Sequence, residues 1–348
     1  MSLIKGVGDF FALDIGTNAL RLVQLSGSAG SGWTLDKFAY LPIDPAITED
    51  SSESGRRKLG EAIKQSVQQS GIKTKNIALG LPASKTYTTI IEVPNQPVEE
   101  IKKIVHYQMD QYVPMAADEA KVDFAVLGAS PNDPTKAEVL LASTSIAYAE
   151  ERMELVESLG LNIVAEEPDP IAMARALTPV GVADARLIID FGETFTDLVI
   201  VYQGAPRLVR TVPGGLQLLI KTVSNTLSVK EDQARQFILK FGLAQDKLEG
   251  QIFRALDMTL ESFASELSKS IRFFQTKYPS VKVGGIVLSG FAGVIPFISE
   301  YIEAKTSVST SQGNPWQLVR ITTDQQQALS QVASEFAVAI GLAERSNN

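Results

Sequence analysis

One pattern occurs twice in this chain and limits what it can fold into. In "FALDIGTNALRLVQL" (11–25) and again in "LIIDFGETFTDLVIV" (187–201), an apolar run meets Asp, one residue, Gly, a few polar residues and a second apolar run. Apolar runs of this length around a Gly-containing polar break read as two strands joined by a tight turn. Asp14 and Asp190 head the two copies, about half a chain apart. Each copy continues in the same way: 33–43 reads as a third strand after the first, and 195–202 and 207–212 complete a meander after the second. The expectation is a duplicated α/β fold with one acidic turn in each half.

The residue types in these turns suit an anionic ligand. Glycine lets backbone N–H groups approach a phosphate with no Cβ in the way, and neighbouring Thr hydroxyls add donors. An Asp at the strand end gains little from facing bare phosphate, but it can hold the waters that Mg²⁺ usually keeps. Two such turns can clamp one phosphate chain from both sides. A single Asp-x-Gly-Ser/Thr string arises by chance in roughly one chain in six of this length, so one turn alone reads best as a plain hairpin. The second copy, in the same strand-turn-strand frame, favours the ligand. A third piece, "GGIVLSGFAGVIPFISEYI" (284–302), reads as a buried strand, a glycine turn and a helix at 294–305. Such a turn lets a nucleoside lie against bare backbone.

Between the copies the pattern changes. Helix is expected at 56–70 and a strand at 76–82. Residues 83–158 then read as a small α/β insertion, with a strand at 86–94, a helix at 97–111, two strands around "PNDP" and a helix at 147–159. A strand ending near 168 leads into a helix at 169–177. The second half adds helices at 214–228, 231–241 and 247–277, and a terminal helix is expected at 325–344. The segment 44–55 reads as a loop, and "GNPWQ" and the two tryptophans, Trp33 and Trp316, as structural.

Composition removes several function classes. The absence of cysteine excludes disulfides, thiolate zinc sites and cysteine nucleophiles, and the single histidine, His106, excludes a multi-histidine metal site. His106 falls in an amphipathic helical stretch, where a surface or core-edge role is expected. A formal charge of −8 argues against a nucleic-acid or anionic-membrane partner. The opening residues do not read as a secretory signal, and "FAVAIGLAE" is about half the length of a membrane span. A cytoplasmic location is therefore expected, with any membrane contact made through a partner.

The three pieces, in this order, resemble the actin-like ATPase superfamily, and more closely the PilM family of type IV pilus assembly proteins, relatives of FtsA. "ALDIGTNALRLVQL" resembles the family's first phosphate turn, with Arg21 where a lysine is usual. The stretch from "LPASKTYTTIIEVP" through "QYVP" to "VDFAVLG" resembles the FtsA-like small subdomain. "IIDFGETFTDLVIVYQGAPRLVRTVPGG" resembles the second phosphate turn, and "FAVAIGLAER" the terminal helix. The resemblance implies an actin-like duplicated two-lobe fold with ribonuclease H-like halves. The first lobe would comprise 1–82, 159–185 and 325–348, with an FtsA-type subdomain inserted at 83–158. The second would comprise 186–324, including a helical subdomain at about 228–280.

It also implies ATP and Mg²⁺ bound between the lobes. Asp14, Gly16, Thr17, Asn18 and Arg21 carry over as the first phosphate turn. Asp190, Gly192, Glu193, Thr194 and Thr196 carry over as the second, Gly214 and Gly215 as the glycine pair after the meander, and Gly290 and Phe291 as the nucleoside turn. Asp14 and Asp190 would reach the metal through water, and Asp190 would orient an attacking water if ATP is hydrolysed. The implied partner is the cytoplasmic N-terminal tail of PilN, an inner-membrane protein, held extended beside the small subdomain. Backbone pairing gives such a peptide affinity and alternate side chains give specificity. Pilus motor ATPases and further copies of the chain, as a ring or platform, are the wider partners implied. Nucleic acid and direct membrane insertion are not.

Two departures bear on nucleotide. The nucleoside turn reads Ser289-Gly290-Phe291 where paired glycines are usual, and Arg235 and Ile238 stand where a Glu and a Lys commonly meet ribose and base. Nucleotide is therefore expected to act as a clamp, with slow hydrolysis at most. The main alternative is a nucleotide-free scaffold with the same partner. A sugar- or acetate-type kinase is less favoured, because no second constellation of carboxylates is evident. An FtsA-like membrane polymer lacks its amphipathic terminal helix here, and the related type II secretion protein GspL continues into a membrane span.

Overall fold

The computed structural model describes residues 9–179 and 181–345, which form two compact units. The first comprises residues up to Ala176 and from Pro315 onward; the second runs Leu177–Asn314.

In the first unit, β1 (Phe11–Ile15), β2 (Ala19–Ser28) and β3 (Gly32–Pro42) form an antiparallel meander. A short helix, α1 (Pro45–Thr48), interrupts the expected loop, because Asp44 caps it and Pro45 starts it. Helix α2 (Glu53–Ser70) is capped by the Ser52 hydroxyl and stopped by Gly71 at φ +69°. It buries Leu59 and Ile63 with Leu13, Leu20 and Leu22 of the sheet. Strand β4 (Asn76–Leu81) runs parallel to β1. Then come β5 (Thr86–Pro94), α3 (Val98–Tyr112), β6 (Ala120–Ala129) and β7 (Lys136–Ser145). They form a separate three-stranded sheet of order β5-β7-β6, cored by Val93, Ile101, Val105, Val139 and Leu141. On α3, His106 faces solvent beside Tyr107. Helix α4 (Ile146–Ser158) returns the chain to β8 (Asn162–Pro168), parallel to β4, and then to α5 (Asp169–Leu177).

The second unit repeats this plan. Strands β9 (Ala185–Phe191), β10 (Phe195–Tyr202) and β11 (Ala205–Pro213) form the meander. Three helices follow: α6 (Leu216–Leu227), α7 (Glu231–Phe241) and α8 (Gln251–Lys277). Helix α8 is long because its apolar positions keep one face, with Ile252, Leu256, Leu260, Ala264, Leu267, Ile271 and Phe274 all buried. Strand β12 (Val283–Gly290) joins β9 in parallel, α9 (Ile298–Thr306) follows, and β13 (Thr310–Gln312) joins β12.

The chain then returns to the first unit with β14 (Val319–Arg320) beside β3, α10 (Thr323–Leu329) and α11 (Ala337–Ala343). The sheet orders are β14-β3-β2-β1-β4-β8 and β11-β10-β9-β12-β13. Apart from the edge strand β14, both read third, second, first, fourth, fifth in order along the chain. This is the duplication that the two acidic turns announce.

Three expected helices differ in extent. Helix α8 starts at Gln251 rather than 247, because Glu249 and Gly250 take φ +51° and +69° and set a separate tight turn before it. The terminal helix is broken between Leu329 and Ala337 by a tight turn at Ala333–Phe336. The Trp316 indole donates to the Ala333 carbonyl, and Phe336 inserts among Phe38, Tyr40 and Trp316, so burying its ring redirects the chain. Helix α9 starts at Ile298 rather than 294, because Phe297 takes φ +63° and the Pro296 carbonyl is bonded to the Leu243 N–H. Both tryptophans are buried, as a structural role requires.

Candidate functional site

The first turn follows directly from the β1–β2 register. Asp14 pairs with Arg21 and Ile15 with Leu20, leaving Gly16, Thr17 and Asn18 as the loop. The Gly16 N–H donates to the Ala19 carbonyl, the Thr17 carbonyl accepts from the Thr48 hydroxyl, and the Asn18 carbonyl accepts from the Ile43 N–H. Arg21 folds back over the loop: a Cβ on Gly16 would lie 2.4 Å from its Nη1. Its Nη1 donates to Asp14 Oδ2 at 3.3 Å and its Nη2 to Asn18 Oδ1 at 3.3 Å. Nη2 also donates to Glu335, from the turn that breaks the terminal helix, and the guanidinium lies 5.6 Å from the centre of the Tyr40 ring. Burial pushes the Asp14 carboxyl above its ordinary range; Arg21 opposes that shift and Glu335 adds to it. Burial works against the Arg21 charge too, but Asp14 and Glu335 more than offset it and hold the guanidinium protonated.

The second turn has the same register: Asp190 pairs with Asp197 and Phe191 with Thr196 across β9–β10. The Gly192 N–H donates to the Phe195 carbonyl. The Gly192 and Glu193 carbonyls accept from the Leu216 and Gln217 N–H groups at the start of α6, and the Thr194 carbonyl accepts from the Gly214 N–H. The Thr196 hydroxyl is fully buried and donates to the Gly214 carbonyl at 2.7 Å, pinning the glycine pair to the turn. Gly215 has no room for a side chain, since a Cβ would stand 2.4 Å from the Gly192 carbonyl oxygen.

Strand β12 brings the third piece alongside, with Ser289 opposite Asp190 and Gly290 opposite Phe191. Gly290 sits at φ +62°, and a Cβ there would lie 2.6 Å from the Phe191 carbonyl oxygen and 2.7 Å from Asp190 Oδ1. Only glycine gives the backbone this approach. Phe291 is buried beneath Arg235 of α7, whose guanidinium carbon is 5.4 Å from the ring centre. Arg235 also grips Glu193 with both terminal nitrogens, at 2.8 and 3.2 Å. Ile238 belongs to the core, and the Lys240 ammonium lies over Phe241 instead.

The structure therefore gathers Asp14, Gly16, Thr17, Asn18 and Arg21 in one turn of the first unit. It gathers Asp190, Gly192, Glu193, Thr194, Thr196, Gly214, Gly215, Gly290 and Phe291 around one hairpin of the second. Three residues that the sequence reading passed over join them. Asp197 had a signal, since it follows Asp190 at the same spacing of seven that separates Arg21 from Asp14. Glu335 and Tyr40 had none, because their proximity depends on how the chain's last segment packs.

Asp197 carries a testable consequence. Burial raises its carboxyl to about 7; the Thr211 hydroxyl opposes this at 2.6 Å, and the charge of Asp190 adds to it. Unfolded, the group ionises near 3.8, so between that pH and about 7 the folded chain holds the extra proton. Stability from this group is complete below the unfolded value and falls as pH rises through the window. Asp197→Asn should flatten the slope of melting temperature between pH 5 and 8, removing on the order of 2 kcal/mol of it. Calorimetry across that range checks this.

Two units of one topology, each with an Asp-x-Gly hairpin on its first two strands, define an actin-like α/β protein. Solved structures of this fold agree. EutJ, the ethanolamine utilization protein from Carboxydothermus hydrogenoformans, matches at TM-score 0.59 and 14% identity, over 98% of this chain and 90% of that one. MreB5 of Spiroplasma citri bound to AMPPNP matches at TM-score 0.52 and 12% identity, over 96% and 94%. The PilM-PilN type IV pilus biogenesis complex matches at TM-score 0.81 and 22% identity, over 97% and 98%. The chain belongs to the family described as type IV pilus assembly protein PilM, whose model matches residues 12–347.

Proposed function

We propose that this chain is an actin-like assembly protein of the type IV pilus that binds ATP through its two acidic turns and docks the cytoplasmic N-terminal tail of PilN. Membership of the PilM family over residues 12–347 carries the reading, and the similar fold of the PilM-PilN complex supports the choice of partner. The insertion at 83–158, as part of a first lobe otherwise made of 1–82, 159–185 and 325–348, is our candidate for the element beside which the tail lies. No helix among the described residues is long and apolar enough to cross a membrane, so attachment to the inner membrane through PilN fits. A ring or platform that engages the motor ATPases is the wider assembly we envisage.

The residues fit a nucleotide unevenly. Gly16, Gly215 and Gly290 stand where a side chain would overlap the turns, which suits close backbone approach to phosphate. Among the described residues no group of three or more acidic side chains or His stands ready to hold a metal. Magnesium would then lean on phosphate oxygens and water, with Asp14 and Asp190 in its outer sphere, as this ion permits. On the base side, Ile238 has no donor and Arg235 is committed to Glu193 and Phe291. This favours a nucleotide held by its phosphates, with Asp190 giving slow hydrolysis at most. The same observation favours the second reading, a scaffold without nucleotide.

Co-purification with a synthetic PilN N-terminal peptide, with and without Mg·ATP, tests the proposal. The peptide should be retained, and Mg·ATP should raise the melting temperature by several degrees. Asp190→Ala should remove most of that rise while leaving the peptide bound. A chain that ignores the peptide under both conditions would sink the partner; one that binds it without any thermal response to Mg·ATP would favour the scaffold.

A further inference from the structure

Arg21 is the one side chain of the first turn with a full positive charge, and two carboxylates hold it. Its bonds to Asp14, Asn18 and the Ala19 carbonyl are long, at 3.3, 3.3 and 3.4 Å. Glu335 lies closer than any of these, from a segment more than 300 residues away in sequence. Glu335 is itself firmly placed. Its neighbour Phe336 is fully buried against Phe38, Tyr40 and Trp316, the Trp316 indole holds the Ala333 carbonyl, and the Tyr40 hydroxyl donates to both Glu335 oxygens at 3.2 and 3.3 Å. Two carboxyl groups and one guanidinium thus meet in a nearly dry space. The buried Nε–H of Arg21 is left without an acceptor.

A phosphate arriving at this turn meets the Glu335 carboxylate, which already holds the Arg21 guanidinium. Repulsion across several ångströms at a partly buried site is large enough to alter affinity by an order of magnitude. A guanidinium has planar, bidentate geometry that suits phosphate as well as carboxylate, so the two anions contend for the same donors. We infer that Glu335 is an internal anion that competes with a ligand's phosphate for Arg21 and so sets how tightly the first turn holds a nucleotide. The inference rests on the nucleotide reading above and adds the residue that limits it.

Isothermal titration of the full chain with Mg·ATP and with adenosine, in wild type, Glu335→Gln and Glu335→Ala, decides the matter. Both variants should bind Mg·ATP about tenfold more tightly, with adenosine unchanged because it has no phosphate to compete. Glutamine keeps the size and a hydrogen-bond acceptor, so its melting temperature without ligand should stay close to wild type and guard against a folding defect. If wild type binds Mg·ATP while the variants bind it equally or more weakly, Glu335 positions Arg21 instead, and the inference falls with the nucleotide reading intact. A gain for adenosine equal to that for ATP also overturns it. If no chain binds Mg·ATP, the nucleotide reading fails and the inference goes with it.

Discussion

Gly341→Ala should destabilise the first unit by about 4 kcal/mol, seen in calorimetry as a melting temperature lower by about 10 °C. Gly341 lies in α11, which packs against β1, β2 and β4. A Cβ at this position would stand 1.8 Å from the Ala172 carbonyl oxygen and 2.4 Å from its carbon. Both atoms are backbone of α5, so no side chain can turn aside, and one helix must move off the other. The Gly341 carbonyl also accepts from Arg175 Nη1 at 2.5 Å, and that bond would be lost in the shift. The clash occurs at Cβ, so Gly341→Val should be only modestly worse than alanine. Gly30→Ala is the matched control: a Cβ there meets nothing within 4 Å, and the melting temperature should not change.

Glu167→Ala should destabilise the chain by about 3–5 kcal/mol, because it removes a buried carboxylate that two cations share. Glu167 is 1% exposed. Arg175 meets it with two bonds, at 2.9 and 2.6 Å, and Arg345 approaches the same carboxylate at 3.2 Å. Glu344 is a poor substitute, since burial raises its carboxyl to about 7 even with Arg175 opposing the shift. Arg345→Ala should be far milder, near 1 kcal/mol, because Glu167 keeps its bidentate partner. A double-mutant cycle over Glu167 and Arg345, read by urea denaturation, should show clear coupling. Added salt should change it little, since screening hardly reaches a buried pair.

Much of the fold could be read from the chain because it is written locally. The two hairpins follow from Asp, Gly and polar residues set between apolar runs, and α8 from an unbroken apolar face. The inserted sheet follows from alternation in 86–94 and from the turn at "PNDP". What escaped depends on distant partners. Nothing near residue 335 says that its carboxylate meets Arg21, and nothing in "SEFAVAIG" shows that Phe336 must leave the helical line to reach Trp316. The Phe297 backbone likewise takes φ +63° in a tertiary setting where the preceding proline's carbonyl is bonded to Leu243. At the site, the turns were legible as glycine and acid, while the partners that tune them came from tertiary packing: Glu335 and Tyr40 for Arg21, Glu193 and Phe291 for Arg235. Asp197 is the intermediate case, legible once the two hairpins are set in the same register.

The first unit is assembled from two stretches of chain, with the second unit inserted whole between them. On the ribosome, residues 177–314 can therefore finish folding while β1, β2 and β4 still await the helix that covers them. The face of those strands that α11 covers stays open until Ala337–Ala343 emerge. This order also places Glu335 more than 300 residues after Arg21, so Arg21 waits through the synthesis of the whole second unit for the carboxylate that later holds it.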